Sequence, residues 1–185
     1  MTPLDLLAQE LGVSGRTLRR AVNEGTLRAT RSSPRMLEMP VGESVYVRRH
    51  WPLLAKLRSV LRTEPNVRFA LLFGSVARGE DTEMSDVDVI VFLRDSQHER
   101  ALDLGLKLED ALERAVDIVL LDEAEDDPTF LAMAIEEGRV LVDREHLWPE
   151  LCRREETLRR RGRKLDLGRK RRAFARADEF LAAGR

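Results

Sequence analysis

The stretch LLFGSVARGEDTEMSDVDVIVF, Leu71–Phe92, closes one apolar run in Gly74-Ser75, crosses a polar loop, and opens a second apolar run that carries two aspartates. The first run, VRFALLF, has the apolar density of a strand buried on both faces. Gly74 at its end leaves no Cβ between backbone and an approaching ligand. Ser75 adds a hydroxyl, and the N–H groups of a helix starting there can point at a phosphate. In SDVDVIV, strand alternation puts Asp86 and Asp88 on one face and Val87, Val89 and Val91 on the other. Two carboxylates side by side on a largely buried strand repel each other and lose hydration, at a cost of several kcal/mol per ion. A divalent cation compensates for this, and oxygen-only ligands select a hard ion such as Mg²⁺. Without further context the same alternation also fits an edge strand with its polar face in water.

The context lies downstream. AVDIVLL is another buried-looking strand with one carboxylate, Asp117, and a helix-length segment from about Gln97 to Arg114 precedes it. Three aspartates on neighbouring strands can bind two metal ions that orient the attacking and leaving oxygens of a phosphoryl displacement. The third carboxylate can also take the proton of an incoming hydroxyl. Asp127 is the expected N-cap of a helix that begins at Pro128, and GRVLVD is a short strand that extends the sheet. Glu80, Asp81 and Glu83 read as a solvated loop, His50, His98 and His146 as surface residues, and Trp51 and Trp148 as helix packing.

The N-terminal segment has a different character. Thr2 is the expected cap and Pro3 the first residue of a helix, with Asp5 completing a capping box and Leu4, Leu7, Ala8 and Leu11 on one face. Gly12 suits a left-handed exit, Ser14 caps a second helix, and Leu18, Ala21 and Val22 form its apolar face. Arg16, Thr17, Arg19 and Arg20 are then left facing outward. This is a helix-turn-helix pattern, whose second helix can enter a major groove. TLRATR and RMLEMP flank the turn-forming SSP as a small hairpin. Beyond it a helix with Pro52 in its first turn is expected to bury Leu53, Leu57, Val60 and Leu61, which puts a domain boundary near His50.

Charge is distributed unevenly along the 185 residues: net +3 over Met1–His50, −12 over Trp51–Glu150 and +8 over Leu151–Arg185. Basic ends suit polyanions, and an acidic middle suits a metal or a cationic partner. The basic tail reads as one or two helices with Leu158 and Leu165, then Phe174, Ala177 and Leu181, as buried stripes. Its arginines can line a nucleic-acid path or dock on the acidic middle. The single cysteine, Cys152, permits neither an internal disulfide nor a zinc cluster. No apolar run approaches the roughly 18–20 residues that span a bilayer, so a soluble, cytoplasmic protein without membrane contact is expected.

GSVARGEDTEMSDVDVIV resembles the signature of the DNA polymerase β-like nucleotidyltransferase superfamily: Gly-Ser, a ten-residue spacer containing Ala-Arg-Gly, then Asp-x-Asp on a strand. Its spacing is most similar to the minimal nucleotidyltransferases, which include antitoxin partners of HEPN-domain toxins. The resemblance, over roughly Leu53 to Asp143, implies an α/β (α+β) nucleotidyltransferase core, a mixed sheet with helices on one side. It implies that Gly74, Ser75 and Arg78 hold the nucleotide and that Asp86, Asp88 and Asp117 are catalytic and bind two Mg²⁺ ions, with Asp117 as candidate base. LGVSGRTLRRAVNEGTLRATR in turn resembles the winged helix-turn-helix of the MerR and excisionase type. That implies duplex DNA contact through Arg16, Thr17, Arg19 and Arg20, with a wing around Ser32 to Arg35.

Together these give three parts: a winged helix-turn-helix over 1–50, a nucleotidyltransferase core over 51–145 and a basic helical tail over 146–185. The expected activity is transfer of a nucleoside monophosphate, AMP from ATP before any other NTP, to a hydroxyl of a macromolecule. The acceptor is expected to be a protein partner such as a HEPN toxin ahead of a tRNA. Two alternatives stand beside it: a DNA-binding regulator or antitoxin whose core binds nucleotide without catalysis, and a small-molecule nucleotidyltransferase of the aminoglycoside-modifying type.

Overall fold

The computed structural model describes residues 1–33, 36–95 and 98–183, and for residues 32, 33, 36 and 166–183 the backbone alone. In chain order the elements are β1 (Thr2–Pro3), α1 (Leu4–Glu10), α2 (Gly15–Asn23), β2 (Thr30–Ser33), β3 (Met36–Met39), α3 (Val41–Thr63), β4 (Val67–Phe73), α4 (Gly74–Arg78) and β5 (Val87–Leu93). They continue with α5 (His98–Leu112), β6 (Val116–Leu120), α6 (Leu121–Asp126), α7 (Pro128–Glu137), β7 (Arg139–Asp143) and α8 (Trp148–Ala183).

The central sheet has the order β6-β5-β4-β7 and is mixed: β5 is antiparallel to β4 and parallel to β6, and β7 closes the other edge antiparallel to β4. β4 alternates between two cores. Ala70 and Leu72 join one apolar cluster with α3 and α5, whereas Phe69, Leu71 and Phe73 join a second with α7 and α8. Helices therefore cover both faces of the sheet and not one, which corrects the expectation. The reason is in VRFALLF itself, whose residues are apolar on both strand faces and need cover on each. Burying each Leu or Phe there contributes about 1.5–3 kcal/mol.

The first fifty residues share the α3-side core. Leu4, Leu7, Leu18, Ala21, Leu27 and Met39 are buried in the same cluster as Leu54, Ala70 and Val89. Ser14 caps α2 by accepting from the Thr17 N–H at 3.1 Å, and Gly12 and Gly25 adopt positive φ. Thr2 does not cap α1. It pairs with Met39 in a two-residue strand, and Pro3 takes the cap position without a side-chain hydrogen bond. Asp5 instead receives Arg19 at 2.6 Å. The hairpin strands β2 and β3 pair antiparallel, while Pro34 and Arg35, at the expected wing tip, lie outside the described residues.

Helix α3 runs unbroken through His50, so the expected boundary falls within it. Pro52 sits in its interior and not in its first turn. It removes one helical hydrogen bond, at about 3 kcal/mol, and is itself exposed. The buried stripe Val47, Trp51, Leu54, Leu57 and Leu61 continues on both sides of it and offsets that loss. Leu54 takes the buried place expected of Leu53, because the helix phase is set eleven residues upstream of Pro52. Glu43 on α3 binds Arg139 of β7 through two bonds of 2.6 and 3.0 Å, both side chains being buried. Thr26 Oγ1 donates to the Val140 carbonyl at 2.6 Å.

The tail packs as α8 along α7, closely enough that a Cβ on Gly162 would lie 2.2 Å from Thr129 Oγ1. Leu158 is buried as expected, but Leu165 is exposed because α8 has by then run past the end of α7's apolar face. Phe174, Ala177 and Leu181 lie outside the described side chains. Arg154 and Arg159 reach Glu125 and Glu136 at 2.8 and 2.9 Å, so part of the basic tail docks on the acidic middle. Among the described residues no helix is long and apolar enough to cross a membrane.

Candidate active site

β4 ends at Phe73, and α4 starts at Gly74, which adopts φ +71°. A Cβ at that position would lie 2.2 Å from Asp88 Oδ2, so the glycine is required by a close approach as well as by its backbone conformation. Asp88 lies opposite Phe73 on one side and in register with Asp117 of β6 on the other. Adjacent strands are about 4.8 Å apart, which sets the spacing of those two backbones. Asp86 lies two residues earlier, directly before β5, and so shares the face of Asp88. Asp86 and Asp117 are exposed and Asp88 is half-buried, and the three carboxylates gather at the end of the sheet beside Gly74 and Ser75.

Burial, then Asp117, Asp86 and Glu137, push the Asp88 carboxyl above its ordinary value, and Arg78 opposes them. The acidic excess is therefore real, and it matches a cation that brings its own charge. Among the described residues no three His, Cys, Asp or Glu side chains already form a metal-holding group. Mg²⁺ fits such a half-built site, because it is usually held by one or two carboxylates and completes its shell with water and substrate phosphates.

Glu137 was not singled out in the sequence. It accepts from the Gly74 N–H at 2.9 Å through Oε1 and from Arg78 Nη1 at 2.6 Å through Oε2, and its carbonyl accepts from Arg28 Nη2 at 2.8 Å. Arg78 is shared with Glu80 at 2.7 Å, and its hydrogen bonds to Glu80 and Glu137 push its guanidinium pKa up. The groups expected to hold phosphate oxygens are thus held by a carboxylate. One signal was available: Glu137 ends α7, where the helix dipole disfavours an anion, so a tertiary partner had to supply the compensation. Glu137→Gln is expected to loosen Arg78 and tighten Mg-ATP binding by about tenfold, roughly one charge-assisted hydrogen bond that no longer competes with the phosphates. Calorimetry of the full chain measures it.

Two other sequence expectations are corrected. Asp81 is buried and His50 is buried with it, joined at 2.7 Å. A carboxylate in an otherwise solvated loop found an imidazole partner 31 positions away, a pairing without local signature. Asp127 caps α7 as expected, accepting from the Thr129 and Phe130 N–H groups at 3.0 and 3.1 Å. Arg16, Thr17, Arg19 and Arg20 are all exposed on α2, but Arg19 is paired with Asp5 and Arg20 with Glu24.

The family described as Polymerase beta, Nucleotidyltransferase matches residues 55–147. A candidate protein adenylyltransferase of Methanocaldococcus jannaschii is 31% identical over 91 residues, which are 49% of this chain and 91% of that protein. Similar solved structures include a toxin-antitoxin complex with AMP-PNP, at 22% identity and TM-score 0.47 over 69% of this chain and 98% of that one. Another is a tri-AMPylated Shewanella oneidensis HEPN toxin in complex with an MNT antitoxin, at 20% identity and TM-score 0.44 over 71% and 98%.

Proposed function

Since this chain belongs to the polymerase beta nucleotidyltransferase family, we propose that it transfers AMP from ATP to a hydroxyl of a protein. The observation that carries this reading is the register of Asp88 with Asp117, with Asp86 on the same face and Gly74 at the strand end beside them. The acceptor oxygen attacks the α-phosphorus, a new P–O bond forms, and the bond to the β-phosphate bridging oxygen breaks. Pyrophosphate leaves with that electron pair. Asp117, exposed on the edge strand, takes the hydroxyl proton. Asp86 and Asp88 would hold two Mg²⁺ ions with Asp117, and these supply charge neutralisation on the phosphate oxygens. Gly74, Ser75 and Arg78 bind the triphosphate once Glu137 releases the Gly74 N–H and Arg78. The protein acceptor is supported by the M. jannaschii relative; a HEPN toxin is the partner class that the minimal nucleotidyltransferase signature favours.

DNA binding by the N-terminal segment, as a winged helix-turn-helix, is the second part of the proposal. Its support is the basic groove between α2 and α3. Glu24 balances Arg20 and Arg62, each at 2.7 Å, and also Arg58, while Arg16 lines the same groove. Burial, with Arg62 nearby, lowers Arg58 to about 10, as expected for cations in local excess. Phosphates there would release counterions, so log K should fall with log salt at about 0.9 per contact. Arg16→Ala with Arg20→Ala is expected to lower the slope by about 2. An unchanged slope in a fluorescence-anisotropy titration with duplex DNA removes this part of the reading.

A further inference from the structure

A line of buried polar contacts runs from α3 under the loop that delivers Asp86. His50 and Asp81 are 4% and 7% exposed. His50 Nε2 lies 2.7 Å from Asp81 Oδ1 and Nδ1 3.0 Å from the Tyr46 carbonyl oxygen, so both ring nitrogens are engaged. The second Asp81 oxygen accepts from Arg114 Nη1 at 3.1 Å. Arg114 also donates to the carbonyls of Thr82, at 3.0 Å, and Ser85, and Arg49 donates to the carbonyl of Asp81 at 2.6 Å.

The loop of residues 79–85 is therefore tied through one side chain and three carbonyls, the last belonging to the residue before Asp86. Its other ties are local: the Glu80 N–H donates to the Ser75 carbonyl at 3.0 Å, the Thr82 N–H to Ser85 Oγ at 3.0 Å and Arg78 Nε to Glu80 at 2.7 Å, while Glu80, Thr82 and Glu83 are exposed and Met84 is 90% exposed. At its start Gly79 adopts φ +78° against Tyr46, whose ring stacks on His50 with centroids 4.4 Å apart. Burial pushes the Asp81 carboxyl up, but hydrogen bonds from His50 and Arg114 outweigh it and hold the carboxyl below its ordinary value. This is more apparatus than a surface turn needs, and it converges on the residue next to a proposed metal ligand.

We propose that Asp81, clamped between His50 of α3 and Arg114, is a positioning residue that sets Asp86 beside Asp88, so that the part of α3 ahead of the family-matched residues completes the nucleotidyl-transfer site. The inference rests on Asp86 and Asp88 being the metal-binding pair. Asp81 touches no substrate and acts through the backbone of Ser85 and Asp86.

The test uses the full chain with three variants. Asp81→Asn keeps the volume but faces a donor with a donor. His50→Gln keeps one donor toward Asp81. Leu108→Ala removes buried apolar volume on α5 and serves as a control of lowered stability. Three quantities are read: the Mg²⁺ concentration for half-maximal transfer from ATP, the KM for ATP, and backbone hydrogen exchange over residues 82–87 without nucleotide. Asp81→Asn is expected to raise the Mg²⁺ midpoint about tenfold, the loss of one charge-assisted hydrogen bond. It should speed exchange over 82–87 by a similar factor, with protection of β4 and KM for ATP nearly unchanged. His50→Gln should give about a third of the shift in midpoint and exchange, and it stands in if Asp81→Asn does not fold. The inference is overturned if wild-type transfer is Mg²⁺-dependent while Asp81→Asn, or His50→Gln in its place, moves neither midpoint nor exchange. It is equally overturned if Leu108→Ala moves both as far. A wild-type chain with no Mg²⁺-dependent transfer or nucleotide binding removes the underlying reading and this inference with it.

Discussion

Gly74→Ala is expected to reduce nucleotide transfer by at least about a hundredfold while costing about 1–3 kcal/mol of stability, the usual penalty for a non-glycine residue in strained backbone. Two effects combine. The residue sits at φ +71°, and its new Cβ would lie 2.2 Å from Asp88 Oδ2. The strand end is fixed by pairing with β5 and β7, so the carboxylate must give way, and it is the carboxylate on which metal binding is proposed to depend. Stability and activity should therefore separate: denaturant unfolding shows a modest loss and steady-state kinetics a large one. Equal, small losses in both would mean that Asp88 can leave its observed position without consequence.

Asp88→Asn should produce the opposite pairing, a more stable apo protein with almost no turnover. Burial and the neighbouring Asp117, Asp86 and Glu137 raise the Asp88 carboxyl, so the folded apo protein holds its proton more tightly than the unfolded chain does. The sign follows from linkage: apo stability increases as pH falls from neutrality through the raised value toward the ordinary carboxylate value, and is lost as pH rises back through that window. Removing the charge should raise Tm and flatten that pH dependence. Metal-assisted charge stabilisation is worth several kcal/mol, so transfer should fall by about a thousandfold or more. Calorimetric scans in EDTA from pH 4 to 8 and a rate assay at saturating ATP measure the two halves. Unchanged Mg-ATP affinity and rate would remove Asp88 from the site.

What was legible in the sequence follows the range of the interactions. Asp86, Asp88, Gly74 and Ser75 could be placed because strand alternation and a strand-end glycine act within a few residues. The caps at Ser14 and Asp127 were found for the same reason. Asp117 needed only the expectation that a helix between two apolar runs makes them parallel neighbours, and β5 and β6 are parallel. Glu137 and the pair His50–Asp81 were missed or misread, since their partners are 63 and 31 residues away and no local pattern joins them. Pro52 misled because a proline more often starts a helix than interrupts one; here the buried residues on both sides outweigh the lost hydrogen bond. Leu165 misled because periodicity shows a face without showing where the neighbouring helix ends.

The proposal as a whole depends on transfer to a macromolecule. The direct measurement incubates the full chain with ATP labelled at the α-phosphate and Mg²⁺ in lysate of the native host, beside Asp86→Asn and Asp88→Asn proteins. The expected result is covalent label on a protein, retained after denaturing electrophoresis, absent with either variant and weakened when residues 151–185 are deleted. Label on no protein or RNA with any of the four NTPs, together with nucleotidylation of a purified aminoglycoside, contradicts it.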